Sequence, residues 1–91
     1  SSRGGYRLKT AEAQRKVTQV DTERQAIVQE QARLRDNLAR VPANSDLQRR
    51  YLATLDKQET ELEALAKRRA DADKAVEAAR EALRTYVASL G

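Results

Sequence analysis

Apolar residues, interrupted by a few polar ones, recur in this chain at alternating spacings of three and four in two runs separated by the only proline, Pro42. The first run is Ala13, Val17, Val20, Arg24, Ile27, Gln31, Leu34, Leu38 and Val41. The second run is Tyr51, Leu55, Gln58, Leu62, Leu65, Arg69, Ala72, Val76, Ala79, Leu83, Tyr86 and Leu90. A mean period of about 3.5 residues is typical of helices that bury one narrow stripe against a partner helix. The pattern predicts an all-α chain with two long helices, and we call the positions of these runs the seam.

Breaking and capping residues predict the helix boundaries. The first helix is predicted at about residues 6–41, because Pro42 lacks a backbone donor and disfavours helical angles at the preceding residue. Ser45 can cap a second helix at about residues 46–90, with the Gln48 side chain reaching back to it, which leaves a turn at residues 42–45. Residues 1–5 include two glycines and are expected to be a flexible leader, either a linker or a remnant of cloning.

A turn this short favours an antiparallel coiled-coil hairpin. Reflecting the two runs about the turn brings an a position opposite a d position in every layer. The expected pairs are Leu38 with Tyr51, Leu34 with Leu55, Gln31 with Gln58, Ile27 with Leu62, Val20 with Arg69, Val17 with Ala72, and Ala13 with Val76. We expect the amides of Gln31 and Gln58 to bond one another and to specify the register, since a slipped pairing would place each amide against apolar residues. An extended dimer, with the helices paired between chains, is the alternative that the same runs permit.

Several apolar residues are left without cover by this register. Val28, Leu52 and Ala66 flank the seam at positions that are usually charged. Counting back from the turn pairs Leu83 with Tyr6 and Tyr86 with Arg3, so that the end of the second helix is expected to have little cover. The candidate association face is therefore Val28, Leu52, Ala66, Tyr86, Val87 and Leu90. These residues predict contact with a protein partner or with a second copy, in which case the hairpins would form a helical bundle.

Composition excludes several classes of function. The 91 residues include only three aromatics and no cysteine or histidine, so the usual zinc, copper, haem and iron–sulfur ligand sets are missing. No stretch approaches the roughly 20 consecutive apolar residues that span a bilayer. A two-helix coiled coil also offers no concave, partly dehydrated pocket for acid, base or nucleophilic chemistry. The sequence therefore predicts a structural or interaction module that is not an enzyme and has no catalytic residue, metal, cofactor, membrane span or small-molecule substrate.

The charge of +4 is unevenly distributed along the chain. Residues 1–20 carry five basic and one acidic side chain, residues 67–91 six and four, and residues 42–66 three and five. The densest candidate basic patch at the open end of the hairpin is Arg15, Lys16, Lys67, Arg68 and Arg69. Such a patch would bind nucleic acid or another acidic surface by displacing counterions. This alternative is less favoured, because acidic residues are interleaved and no aromatic lies among the bases for stacking.

The segment around the turn resembles a known bacterial family. It reads QARLRDNL at residues 31–38, VPANSDL at residues 41–47 and RYL at residues 50–52, with Leu55, Gln58, Glu59, Leu62 and Glu63 following. This pattern is similar to the C-terminal helical hairpin of proteins that carry a domain of unknown function related to the mucoidy inhibitor A group. The resemblance covers about residues 30–65. It implies that the chain is the C-terminal part of a longer bacterial envelope-associated protein with β-rich domains upstream, and it supplies no catalytic residues.

Overall fold

Two long helices joined by one turn make up the chain in the computed structural model, which describes residues 2–91. The first helix, α1, spans Arg3–Leu38, and the second, α2, spans Asp46–Ser89. No β-strand occurs among the described residues. The prediction of an all-α helical hairpin is confirmed. The chain divides into two compact units, a turn unit at Thr22–Ala66 and a terminal unit formed by residues 2–21 and 67–91.

Helix α1 begins at Arg3, three residues before the predicted start at Tyr6. The Ser2 hydroxyl accepts a hydrogen bond from the Gly5 backbone N–H at 3.3 Å, and the Ser2 carbonyl accepts one from the Tyr6 N–H at 3.2 Å. This serine cap satisfies donors that would otherwise be free in the first turn, and so offsets the poor helix propensity of two glycines. Of the predicted leader, residues 3–5 therefore lie within α1, while Ser1 lies outside the described residues.

The turn is longer than predicted because α1 ends at Leu38 rather than at Val41. The last carbonyls of α1 accept i to i+3 hydrogen bonds, which wind the chain more tightly than an α-helix. The Asn37 carbonyl accepts one from the Arg40 N–H at 3.0 Å, and the Leu38 carbonyl accepts one from the Val41 N–H at 3.4 Å. The chain then reverses through Asn44, which has a positive φ of 63°. Asparagine is one of the few residues other than glycine that adopt this left-handed conformation at modest cost.

Helix α2 has the predicted serine cap. The Ser45 hydroxyl accepts a hydrogen bond from the Gln48 N–H at 3.1 Å. The Gln48 side chain reaches back, but it accepts its bond from the Asn44 N–H at 2.7 Å rather than from the Ser45 N–H, which bonds the Pro42 carbonyl at 3.3 Å. Asp46 in the first turn of α2 also forms an ion pair with Arg49. The cap and the ion pair together fix the start of α2 and the direction in which the chain leaves the turn.

The seam supplies the core of each unit. In the turn unit the buried residues are Gln31, Leu34, Gln58 and Leu65. In the terminal unit Ala13, Val17, Ala72 and Val76 form one buried cluster, which is consistent with the predicted layers Val17/Ala72 and Ala13/Val76. All of these are predicted seam positions. Arg24 and Leu90 are exceptions, since both are exposed. We attribute the exposure of Arg24 to its long stem, which allows the charged group to remain in water.

Candidate interaction surfaces

The polar layer of the turn unit is buried, but its amides do not bond one another as predicted. Gln31 is 3% exposed and Gln58 is 8% exposed. Gln31 Nε2 donates to Glu59 Oε1 at 2.9 Å, and Gln58 Oε1 has no hydrogen-bond partner within residues 2–91. Glu59 also lies 3.9 Å from Arg35, so the carboxylate at the edge of the seam connects the buried amide to an exposed cation. A charged acceptor forms a stronger hydrogen bond than a neutral amide, which explains why Gln31 turns towards Glu59.

Arg69 joins two carboxylates that flank the seam of the terminal unit. Its Nε lies 2.9 Å from Asp21 Oδ1, and its Nη1 lies 2.7 Å from Asp73 Oδ2. The hydrogen bond with Asp21 is the main cause that raises the pKa of the Arg69 guanidinium. Asp21 and Asp73 hold equivalent flanking positions on the two helices and both lie against Arg69, so the two like charges repel one another. Arg69 therefore compensates a repulsion between the helices.

Half of the predicted association face lies at the end of α2, and one of its members has more cover than expected. The rings of Tyr6 and Tyr86 lie 4.8 Å apart between centroids, at an angle of 33°. Tyr86 is therefore half-buried against Tyr6, and the expectation that it faces Arg3 with little cover is wrong. The aromatic pair forms because side chains of an antiparallel pair interleave, so that Tyr6 reaches the layer beyond Leu83. Val87 and Leu90 remain exposed, at 38% and 61%.

The other half of the predicted association face lies in the turn unit. Leu52 is 48% exposed and Ala66 is exposed, whereas Val28 is half-buried. In the heptad register Val28 and Ala66 hold the same flanking position on the two helices. Leu52 is thus the large apolar side chain of this set that offers most surface to a partner.

Four members of the predicted basic patch are exposed, and the fifth is engaged by acids. Arg15, Lys16, Lys67 and Arg68 are exposed in the terminal unit. Lys16 and Arg68 border a shallow groove of about 280 Å³ that has the seam residues Val20 and Ala72 among its lining residues. Arg69 does not belong to an anion-binding surface, because Asp21 and Asp73 already occupy its donors. The sequence pattern missed this, although the acidic residues at equivalent flanking positions were the available signal.

A second groove follows one face of α2 in the terminal unit. It has a volume of about 620 Å³. Its lining includes the rings of Tyr6 and Tyr86 and small residues of α2 such as Ala78, Ala82 and Thr85. Glu81 also lines this groove and forms an ion pair with Arg84. The hydrogen bond with Glu81 raises the pKa of the Arg84 guanidinium. This surface was not predicted from the sequence, because alanine and threonine contribute little to a hydrophobic pattern.

Several carboxylates of the described chain form exposed ion pairs. Glu30 is bonded to Arg33 one turn away, and this hydrogen bond lowers the pKa of the Glu30 carboxyl. No group of three or more potential metal ligands occurs within the part of the chain that the structure describes. Neither helix contains, over residues 2–91, an apolar segment that could cross a membrane.

Comparison with known proteins adds no relative to this description. No family model, no curated protein and no solved structure matches the chain.

Proposed function

We propose that this chain is a non-enzymatic structural and interaction module, a helical hairpin that acts as a spacer and as an association arm of a larger bacterial protein. The seam residues of each helix are buried within the hairpin and so are not available to a partner. What remains available to a partner is the outer surface, where apolar residues flank the seam.

One observation carries this proposal: large aliphatic side chains are exposed in both units. Leu52 of the turn unit and Val87 and Leu90 of the terminal unit are between 38% and 61% exposed. Each fully buried side chain of this type contributes about 1.5–3 kcal/mol, so covering these residues provides a driving force for association. The buried apolar residues of the hairpin are mostly valine and alanine, with two leucines. So small a core is stabilised further when more apolar surface is packed against the hairpin.

The proposal is tested by light scattering over a range of protein concentrations. The wild-type chain should associate, and the triple variant Leu52→Lys, Val87→Lys and Leu90→Lys should associate less while keeping its helical circular dichroism. Thr60→Lys in α2 is a matched control on an exposed polar position. A wild-type chain that stays strictly monomeric at high concentration would contradict self-association through these residues.

The second candidate function, binding of a polyanion such as nucleic acid, is favoured by the charge of the terminal unit. Residues 2–21 and 67–91 carry eleven basic and six acidic side chains, a net charge of +5. Four of these acids, at positions 21, 73, 77 and 81, are engaged by Arg69, Arg80 and Arg84. Exposed cations such as Arg15, Lys16 and Lys67 therefore outnumber the remaining carboxylates, and phosphates could displace their counterions.

Retention on heparin at about 150 mM salt tests this second candidate. The double variant Arg15→Glu and Lys16→Glu should elute at lower salt than Arg50→Glu and Lys57→Glu, which makes the same charge change on exposed positions of the turn unit. Equal elution of the two variants would mean that only net charge matters, and flow-through of the wild-type chain would exclude the binding function at this salt.

The resemblance of the turn segment to the mucoidy inhibitor A group supports the part of the proposal that concerns a larger parent protein. We propose that the parent is bacterial and associated with the cell envelope. Locating the parent chain in fractionated cells tests this, since recovery with the cytosol would contradict the envelope assignment.

A further inference from the structure

Gln31 lies beside two acceptors in the turn unit but bonds only one of them. Its Nε2 donates to Glu59 Oε1 at 2.9 Å. Gln58, which precedes Glu59 on α2, is 8% exposed, and its Oε1 is buried with no hydrogen-bond partner within residues 2–91. The antiparallel register places Gln58 opposite Gln31 in the seam. A rotation of the Gln31 side chain can therefore exchange the acceptor at the edge of the seam for the acceptor inside it.

The two arrangements of the Gln31 amide have opposing advantages. A hydrogen bond to a carboxylate is roughly twice as strong as one to a neutral amide, which favours Glu59 as the acceptor. The same arrangement leaves the buried Gln58 oxygen without a partner, and this cost is of the same order as the gain from the charged acceptor. The charge on Glu59 therefore decides which arrangement is the more stable.

We propose that Gln31, Gln58 and Glu59 form a two-state switch that is set by protonation of the Glu59 carboxylate. When Glu59 is ionised, Gln31 donates to it and Gln58 Oε1 stays unpaired, as in the structure. A proton taken up from solvent removes the advantage of the charged acceptor, so Gln31 turns to donate to Gln58 Oε1 in a closed amide layer. The Glu59 side chain is 59% exposed, so water solvates the carboxyl group that Gln31 has left.

The charged groups around Glu59 determine what the switch changes at the surface. From α1, Arg35 faces Glu59 with Nη2 3.9 Å from Oε1. On α2 the acidic residues one turn away are Asp56 and Glu63. Protonation of Glu59 takes this partner from Arg35, so the edge of the seam gains positive charge as the buried layer rearranges. The inference goes beyond the proposed function, because these residues all lie in the turn unit of one chain and the switch needs no association.

Nuclear magnetic resonance of the full chain tests the switch through the scalar coupling that passes across a hydrogen bond. Gln31 Nε2 should couple to Glu59 Cδ at neutral pH and to Gln58 Cδ at about pH 3, where carboxyl groups are protonated. Glu59→Ala removes the carboxylate, so it should show the coupling to Gln58 already at neutral pH, with the population of the closed layer raised about tenfold. Glu63→Ala removes an exposed carboxylate one turn along α2 and should keep the coupling to Glu59. Circular dichroism verifies that every sample keeps its helices.

The Glu59→Ala variant at neutral pH decides the inference even where acid unfolds the wild-type chain. Coupling between Gln31 and Gln58 in this variant, with coupling to Glu59 kept in Glu63→Ala, supports the switch. No coupling to Gln58 in Glu59→Ala overturns it, and so does a folded wild-type chain that keeps the coupling to Glu59 in acid. Coupling to Gln58 in Glu63→Ala as well would mean that Glu59 does not set the arrangement.

Discussion

At the scale of single residues, burial of a polar side chain was predictable but its hydrogen-bond partner was not. Gln31 and Gln58 interrupt the apolar runs, and both are buried as seam positions should be. The heptad pattern gives the layer in which each amide lies. It does not predict which acceptor the Gln31 amide bonds. In the structure this amide donates to the charged Glu59 carboxylate rather than to the neutral amide of Gln58.

The amide that remains without a partner gives the first prediction. Gln58→Leu should raise the free energy of unfolding by about 1 kcal/mol, because Gln58 Oε1 is buried without a hydrogen bond. Gln31→Leu should bring a smaller gain, since it removes the bond to Glu59. Chemical denaturation measures both. Destabilisation by Gln58→Leu would show that its amide is satisfied in solution.

The Arg69 contacts give the second prediction. A double-mutant cycle of Arg69→Gln with Asp21→Asn should give a small favourable coupling energy, because the Arg69 side chain is partly exposed and water screens the ion pair. The coupling should shrink in 1 M salt, where the screening length falls to about 3 Å. A coupling energy near zero at low salt would mean that this ion pair does not stabilise the terminal unit.

At the scale of the helices and the turn, backbone conformation places the reversal at Asn44. The third prediction is that Asn44→Ala lowers the free energy of unfolding by about 1–2 kcal/mol, since alanine is strained at a φ of 63°. Asn44→Gly should have little effect and serves as the control, because glycine adopts this conformation freely. Thermal unfolding of the three proteins compares them. Equal stability of the alanine and glycine variants would contradict the left-handed turn.

The Ser45 cap gives a fourth prediction at the same scale. Ser45→Ala should cost about 1 kcal/mol of unfolding free energy, because the Gln48 N–H loses its acceptor. Ser45→Asp should retain most of the stability, since its carboxylate can cap the same donor and favours the start of a helix. Denaturant unfolding gives both values. An alanine variant as stable as the wild-type chain would show that the cap contributes nothing.

The helices themselves were predictable, and their ends were less so. The spacing of seam residues predicted two helices, and Pro42 and Ser45 predicted where the chain turns. The N-terminal end of α1 differed because the Ser2 cap extends the helix through two glycines. This single hydrogen bond offsets the low helix propensity of glycine, and it has no counterpart in the spacing of apolar residues. The C-terminal end of α1 differed because Pro42 affects more than the residue before it. After Leu38 the backbone forms i to i+3 hydrogen bonds in place of the i to i+4 bonds of an α-helix.

At the scale of the whole molecule, the pattern predicted which surface is used within the hairpin better than which surface remains for partners. Leu52 was recognised because it is apolar at a flanking position that is usually charged, and Leu90 because the register leaves the end of α2 with little cover. The groove between Ala78 and Thr85 was not, because these small residues form a groove only together with Tyr6 and Tyr86. The structure therefore adds most to the sequence analysis at surfaces made of small residues, because their hydrophobicity alone does not mark them in the sequence.

The central claim, that one chain folds back on itself within the turn unit, is tested by disulfide formation in the variant Leu34→Cys and Leu55→Cys. The wild-type chain contains no cysteine, so these two thiols are the only ones present. Leu34 is buried in the seam and Leu55 is half-buried, and the antiparallel register pairs them. Mild oxidation at low protein concentration should give a monomer with an internal disulfide, seen by non-reducing electrophoresis and intact mass. Disulfides that form only between two molecules would contradict the hairpin and favour helices paired between chains.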